Sequence, residues 1–298
     1  MYRFGTAGNP KSFYDAGLKS SVQAPGFLSA RGLNAYEYSA GRGVQIGEDT
    51  ARAIGAEARR QGVYVSIHAP YYINCATLDP ESREKSFGYI LDSARAIDWM
   101  GGERVIFHPG SEKGGRDAAM ERACVFLKEA LERMDDAGLG HIHLCPETMG
   151  KVNMLGTLDD VIRFCALDQR MIPTLDFAHL HARGQGCLNT VYDFEAVIVR
   201  LMDGLWPDRA GDMPERLKHF HVHFSHVQYT SKGERKHVSF ADEGYGPDFG
   251  QLAVVLKKYS LEPVVICESR ETQAEDAAAM RDIMREAIAQ SGDIQSLA

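Results

Sequence analysis

The stretch Val63-Tyr64-Val65-Ser66-Ile67-His68-Ala69-Pro70-Tyr71-Tyr72 reads as a buried strand that stops on a histidine. Val63, Val65 and Ile67 alternate at the spacing of one strand face. A histidine, a proline and two large aromatics then stand where the strand gives way to a turn. One histidine at a strand end is most simply a hydrogen-bonded structural residue. Its meaning depends on whether other strands end the same way.

Working outward, short apolar runs alternate with longer helical segments. Candidate strands are 3–6, 35–39, 63–68, 104–108, 141–147, 172–176, 219–224 and 263–268, rich in β-branched or aromatic residues. Asp79-Pro80 provides an N-cap with proline at the first helical position, and Phe87, Ile90, Leu91, Ala94 and Ile97 follow at helical spacing. Val125, Leu127, Leu131 and Met134 belong to a further helix that Gly138 and Gly140 end. Thr272-Gln273-Ala274-Glu275 fits a capping box. Eight strand–helix units predict a (β/α)8 TIM barrel, which takes about 250 residues plus insertions. An open doubly wound sheet would alternate too, so the pattern favours the barrel without excluding the sheet. No linker or low-complexity tract divides the chain, and a single domain over 1–298 is expected. Residues 225–250 read as the longest irregular segment, and long loops in compact domains are usually functional.

Composition narrows the function classes. The chain is 298 residues long, 44% hydrophobic and 25% charged, near the soluble globular average. Its apolar runs fall well short of the ~18 residues of a membrane span. The N-terminus lacks the apolar core of a signal peptide. Cys75, Cys124, Cys145, Cys165, Cys187 and Cys267 are scattered, with no CxxC pair, which suggests reduced thiols in a cytoplasmic protein. The net charge of −8 argues mildly against a nucleic-acid binder. A local cationic groove or bound divalent ions would reverse that sign where it matters.

The other strands do repeat the ending. His108 closes the fourth run in VIFHPG, Glu147 the fifth in HLCPETMG, and Asp176 the sixth in MIPTLDFAHLH. His223 closes the seventh in HFHVHFS and Glu268 the eighth in VVICES. In a barrel these ends converge on one face. Imidazoles and carboxylates gathered there call for a metal: zinc, or manganese or iron. His179, three residues after Asp176, and His237, on the long loop, extend the set to a number that would hold two or three ions, with Glu147 bridging. Ions so spaced form the clamp used in phosphate-ester hydrolysis. His141 and His143 read as packing residues, His181 and His226 as pocket lining or surface, and His221 as the alternative to His223.

Together SIHAPYYIN, FHPG, PETMG, LDFAHLHARG, VHFS with KGERKH, and CES resemble endonuclease IV, the metal-dependent apurinic/apyrimidinic endonuclease family of the xylose-isomerase-like barrels. The resemblance spans about Gly62 to Glu268 by motif rather than by continuous identity. It implies three metals, usually zinc, and hydrolysis of the phosphodiester 5′ to an abasic site in damaged DNA. By matched position, His68, His108 and Glu147 would hold the first ion. Glu147, Asp176, His223 and Glu268 would hold the second, and His179 and His237 the third. Glu147 would also bridge or orient the attacking water.

The chain departs from that pattern at Arg235, where the family has an aspartate two residues before the last histidine. Glu234 is a substitute ligand after a small shift of the loop, which leaves Arg235 to meet a phosphate. Tyr71 and Tyr72 match the residues that wedge into the duplex, and Arg42 lies on a loop that would reach the minor groove. Pocket walls are the simpler reading of the same residues. A monomer is expected, acting on DNA. The rival is a one-metal sugar isomerase or epimerase of the same superfamily, using Glu147, Asp176, His223 and Glu268. A third reading is a barrel that binds damaged DNA or a sugar phosphate without turnover.

Overall fold

A computed structural model describes residues 2–290. The ends of the expected domain, Met1 and 291–298, lie outside the described residues. Eight parallel strands make the barrel: β1 (Arg3–Ala7), β2 (Ala35–Ser39), β3 (Tyr64–His68), β4 (Arg104–Phe107), β5 (His143–Pro146), β6 (Thr174–Asp176), β7 (His221–Phe224) and β10 (Val264–Cys267). Their order is β5-β4-β3-β2-β1-β10-β7-β6, with β8 (His226–Thr230) and β9 (Gly233–Val238) forming a separate hairpin. The circle closes between β5 and β6 through the parallel bridge of Glu147 with Thr174 and the bond from Thr148 N to Thr174 O, 3.0 Å. The seam therefore lies at the level of the strand ends that the sequence marked out. The fold is a (β/α)8 TIM barrel.

The helices cover the outside as expected from their patterning. Asp79 caps Pro80–Met100 by accepting from Ser82 N, and Pro80 stands at the first position. Phe87 of that helix stacks on Phe126 of Arg116–Asp136 at 4.1 Å between ring centroids, with the Arg133 guanidinium 3.8 Å above Phe87. Truncating Phe87 to alanine would cost about 3–5 kcal/mol, the scale for emptying a packed aromatic site. Gly138, at φ 74, ends the second helix in the left-handed region where glycine carries no Cβ penalty.

Boundaries differ from the sequence reading in specific ways. His108, Glu147 and Glu268 each follow the last strand residue by one position, and Phe224, not His223, ends β7. Residues 225–250 are not irregular throughout, because β8 and β9 occupy most of the first half and place His237 on a strand. Thr272 makes no capping bond. Its hydroxyl is taken by Ser239 Oγ and Asp276 Oδ2, both at 2.9 Å. All six cysteines are free, and Cys187 is exposed. Among the described residues, no helix is long and apolar enough to cross a membrane.

Candidate metal centre

Parallel strands with staggered ends bring their terminal side chains to one face. Here they gather into three groups whose ligand atoms lie within 4.8 Å of one another: His68, His108 and Glu147; Glu147, Asp176, His223 and Glu268; and Asp176, His179 and His237. Glu147 and Asp176 each belong to two of them. His68 Nε2 and His108 Nε2 stand 3.1 and 3.3 Å from Glu147 Oε2. On the other carboxylate oxygen, His223 Nδ1 lies 3.4 Å from Glu147 Oε1. These spacings match neighbouring ligands on one ion, which stand ~3.0–3.5 Å apart at bond lengths of ~2.0–2.2 Å.

Hydrogen bonding commits several ring nitrogens and frees the others. His68 Nδ1 donates to Ala69 O at 2.8 Å, and His179 Nδ1 donates to Thr148 O at 2.8 Å. Their Nε2 atoms then carry the lone pairs, yet they face Glu147 Oε2 and Glu234 Oε2, the latter at 3.4 Å. A lone pair against a carboxylate is repulsive unless a proton or a cation lies between. His237 Nδ1 pairs with Ser225 Oγ at 2.6 Å, and its Nε2 faces Glu268 Oε2 at 3.6 Å. Asp176 caps the short helix Phe177–Arg183 through His179 N, leaving Oδ2 buried without a hydrogen bond. Glu147 Oε1 is buried and accepts no hydrogen bond either. Buried polar atoms are normally satisfied, so these orphans fit a cation.

The charges agree. Burial alone would raise the Glu147 pKa, but His223 and His108 hold it well below the carboxylate range. Burial would lower His179 and His223, yet surrounding carboxylates push both well above the usual imidazole value. Glu234, against the opposing effect of its burial, is drawn down to about 2 by His179.

The β8–β9 hairpin brings His237 to the third group and Glu234 beside it. It docks on the PETMG loop, where Glu234 N donates to Gly150 O at 3.2 Å. A Cβ on Gly150 would come within 2.5 Å of Glu234 Cβ and 2.9 Å of His179 Cδ2, so only glycine lets the hairpin approach. Arg183 holds the same loop through the carbonyls of Met149, Lys151, Val152 and Met154. Glu234 thus reaches the group from its own strand position, while Arg235 points to solvent.

On the rim, Tyr71 and Tyr72 are 54% and 60% exposed, large for aromatics in a folded chain. Tyr71 stacks on the His108 ring at 5.3 Å and covers Gly41, whose Cβ would fall 2.4 Å from it. Exposed Arg42 therefore lies next to the tyrosines.

The remaining histidines lie outside these three groups, although His141 is exposed rather than packed and His181 is buried rather than at a pocket wall or the surface. His141 pairs with Asp98 at 2.8 Å on the surface, and His143 Nδ1 donates to Arg170 O. His181 accepts from Leu188 N, and His226 packs against Phe240. His221 is not in the group of Glu147, Asp176 and Glu268; His223 is. Glu37, a residue that the sequence reading passed over, forms a further group with His221 and His223. Fully buried, it stands 3.0 Å from both His221 Nε2 and His223 Nε2 and accepts from Ser66 Oγ at 2.9 Å. The ring N–H directions lie off these N···O lines, so the contacts are ion pairs in length rather than straight hydrogen bonds. Burial drops His221 to about 4. The missed signal was an acid at the centre of a five-residue strand, AYEYS, whose first three residues are buried.

Residues 26–287 match the xylose isomerase-like TIM barrel family. The chain belongs to that family. An uncharacterized protein of Methanocaldococcus jannaschii is 28% identical over 90% of this chain and 92% of its own length. A probable endonuclease 4 of Thermoplasma acidophilum is 29% identical over 49% of this chain and 51% of its own length, so that match spans about half of each. Among solved structures, endonuclease IV from Thermus thermophilus superposes with TM-score 0.64 at 22% identity, covering 97% of this chain and 98% of that one. An L-ribulose 3-epimerase gives 0.69 at 13% identity, covering 99% and 98%. At such identities these likenesses speak for the fold alone, and an endonuclease and an epimerase share it.

Proposed function

We propose that this protein is a metal-dependent phosphodiesterase that incises DNA 5′ to abasic sites, in the manner of endonuclease IV. The observation that carries the reading is the sharing of Glu147 and Asp176, which makes the three groups one contiguous centre rather than a single-ion pocket. His68, His108 and Glu147 would hold one ion; Glu147, Asp176, His223 and Glu268 a second; and Asp176, His179, His237 and Glu234 a third. Histidine-rich sets of this kind suit zinc, with manganese or iron compatible. Divalent ions there would supply charge to offset the phosphate oxygens and acidity to make water nucleophilic near neutral pH.

The chain's own residues do the rest. Glu147 uses both carboxylate oxygens, fixing the spacing between the first two groups and orienting the attacking water. Tyr71 and Tyr72 offer flat apolar faces at the rim to replace base stacking where the lesion is extruded. Arg42 and Arg235, both exposed, offset local phosphate charge despite the net −8. One chain supplies every residue of the centre, so a monomer suffices. The test is incision of a duplex carrying one stable abasic-site analogue, with a chelated control. Cleavage 5′ to the analogue that chelation abolishes is expected; intact duplex with metal-loaded protein would refute the reading.

A second reading is supported by Glu147, Asp176, His223 and Glu268, which by themselves complete a one-ion site. A sugar epimerase of the same family would need only those four. One metal per chain, with proton exchange on a ketose, would decide for it.

A further inference from the structure

The opposite end of the barrel holds a second polar cavity, of about 490 Å³. Arg3, Tyr64, Arg104, His143, Arg216 and His219 line it. Arg104 is the first residue of β4 and points into the barrel, only 5% exposed. Its Nε and Nη1 are buried with no hydrogen-bond partner, and no carboxylate of the described residues lies within ion-pair distance of its guanidinium. Arg3, from β1, flanks the same Tyr64 ring: its guanidinium carbon is 4.3 Å from the ring centroid, and that of Arg104 is 5.6 Å away. Two guanidinium groups on one aromatic ring repel each other, and a buried cation without a counter-charge is costly.

Among the described residues, no ion pair joins the acids of the cavity to Arg104. Glu215 pairs with His219 at 3.2 Å, Glu103 accepts from the Tyr64 hydroxyl at 3.4 Å, and Glu262 carries interactions of its own. Arg216 is spoken for differently, because its Nη1 donates to the carbonyls of Cys165, Asp168 and Met171. Arg104 and Arg3 are left as donors around a space large enough for more than a water molecule. Guanidinium forks match the geometry of phosphate oxygens.

We propose that the N-terminal end of the barrel is a binding site for a phosphate-type oxyanion, held by Arg104 and Arg3 over Tyr64. It is separate from the metal centre: His108 follows Arg104 by four residues, about 13 Å along an extended strand. The volume admits either free phosphate or the phosphate of a small metabolite.

The test uses the full chain treated with chelator, so that metal-bound phosphate does not contribute, with ionic strength fixed by chloride. Inorganic phosphate should raise the midpoint of thermal unfolding and bind measurably by calorimetry. Arg104→Met should bind phosphate roughly tenfold to a hundredfold more weakly, the scale of one lost charge-assisted hydrogen bond. It should also unfold at a higher temperature than the parent in phosphate-free buffer, since an apolar side chain replaces an unpaired buried cation. Arg3→Met, nearer the surface, should lose phosphate affinity without that gain. A pentose 5-phosphate that binds more tightly than inorganic phosphate would assign a phosphorylated small molecule, and equal binding would assign the free ion. A phosphate response no larger than that to chloride overturns the proposal, as does an undiminished one in both variants. Should Arg104→Met fail to fold, a crystal of the parent soaked in selenate and read by anomalous scattering decides: a peak between Arg104 and Arg3 is required.

Discussion

Glu37 Oε1 stands 3.0 Å from His223 Nε2, on the side of the ring away from Glu147 and Glu268. With Nδ1 turned toward the metal group, Nε2 must carry the ring proton, and Glu37 is the carboxylate that faces it at ion-pair distance. Such outer partners orient a ligating imidazole and raise its basicity, and losing one typically costs ten- to a hundredfold in metal affinity. Glu37→Gln keeps the shape and the acceptor for Ser66 but removes the charge. Affinity for the second ion should fall by about that factor, read by competition with a chromophoric chelator, while the first group is untouched. Unchanged affinity would make Glu37 a partner of His221 only.

Glu147 is where the groups meet, so its removal should be felt by more than one ion. Glu147→Gln should leave the far-ultraviolet circular dichroism unchanged and lower the metal content per chain. Turnover should drop by more than about a hundredfold, the upper scale for a residue one step removed from the ion. A variant with full metal content and parental turnover would remove Glu147 from the centre.

The first two groups could be read from the chain because strand ends in a barrel converge regardless of the loops between them. His68, His108, Glu147, Asp176, His223 and Glu268 needed only the alternation of strands and helices and the residue type at each end. Glu37 was illegible for the opposite reason. It stands in the middle of β2, where period-two alternation assigns a charged residue to the solvent face, and only closure of the barrel turns that face inward. The hairpin was missed because Lys232, Arg235 and Lys236 make its outer side read as loop. The seam at Glu147 and Thr174 follows from three-dimensional closure and has no local signature.

Glu234 and Arg235 have separable roles on that hairpin. Glu234 Oε2 faces His179 Nε2 at 3.4 Å, whereas the neighbouring arginine is exposed. Glu234→Gln should lower the metal count by one per chain, measured by elemental analysis after dialysis, and spare the ions of the other two groups. Arg235→Ala should keep every ion and weaken DNA binding by a similar factor on all sequences, with the salt slope reduced by about one. Loss of metal from Arg235→Ala would reverse the assignment.

Above pH ~6.5 the dependence of stability on pH should differ in sign between stripped and loaded protein. In the stripped chain His68, His179 and His223 have raised pKa values in spite of burial, through the carboxylates beside them. Their contribution is complete below the unfolded value of ~6.5 and is lost as pH rises through the folded values. His221, lowered to about 4 by burial, and His108, lowered by burial too, act the other way and lose their contribution as pH falls below ~6.5. The carboxylates add to the acid side: Glu147 and Glu234, both depressed, lose stabilisation as pH drops through their folded values. The site's contribution in the stripped protein should therefore be greatest near pH ~6.5. Metal requires the deprotonated ligands, so its binding releases protons and strengthens with pH. The gap in unfolding temperature between loaded and stripped protein should widen steadily from pH 5.5 to 8, followed by scanning calorimetry in matched buffers. A gap that stays constant across that range would mean that the ions are held by groups that do not titrate there, which would exclude the histidines as ligands.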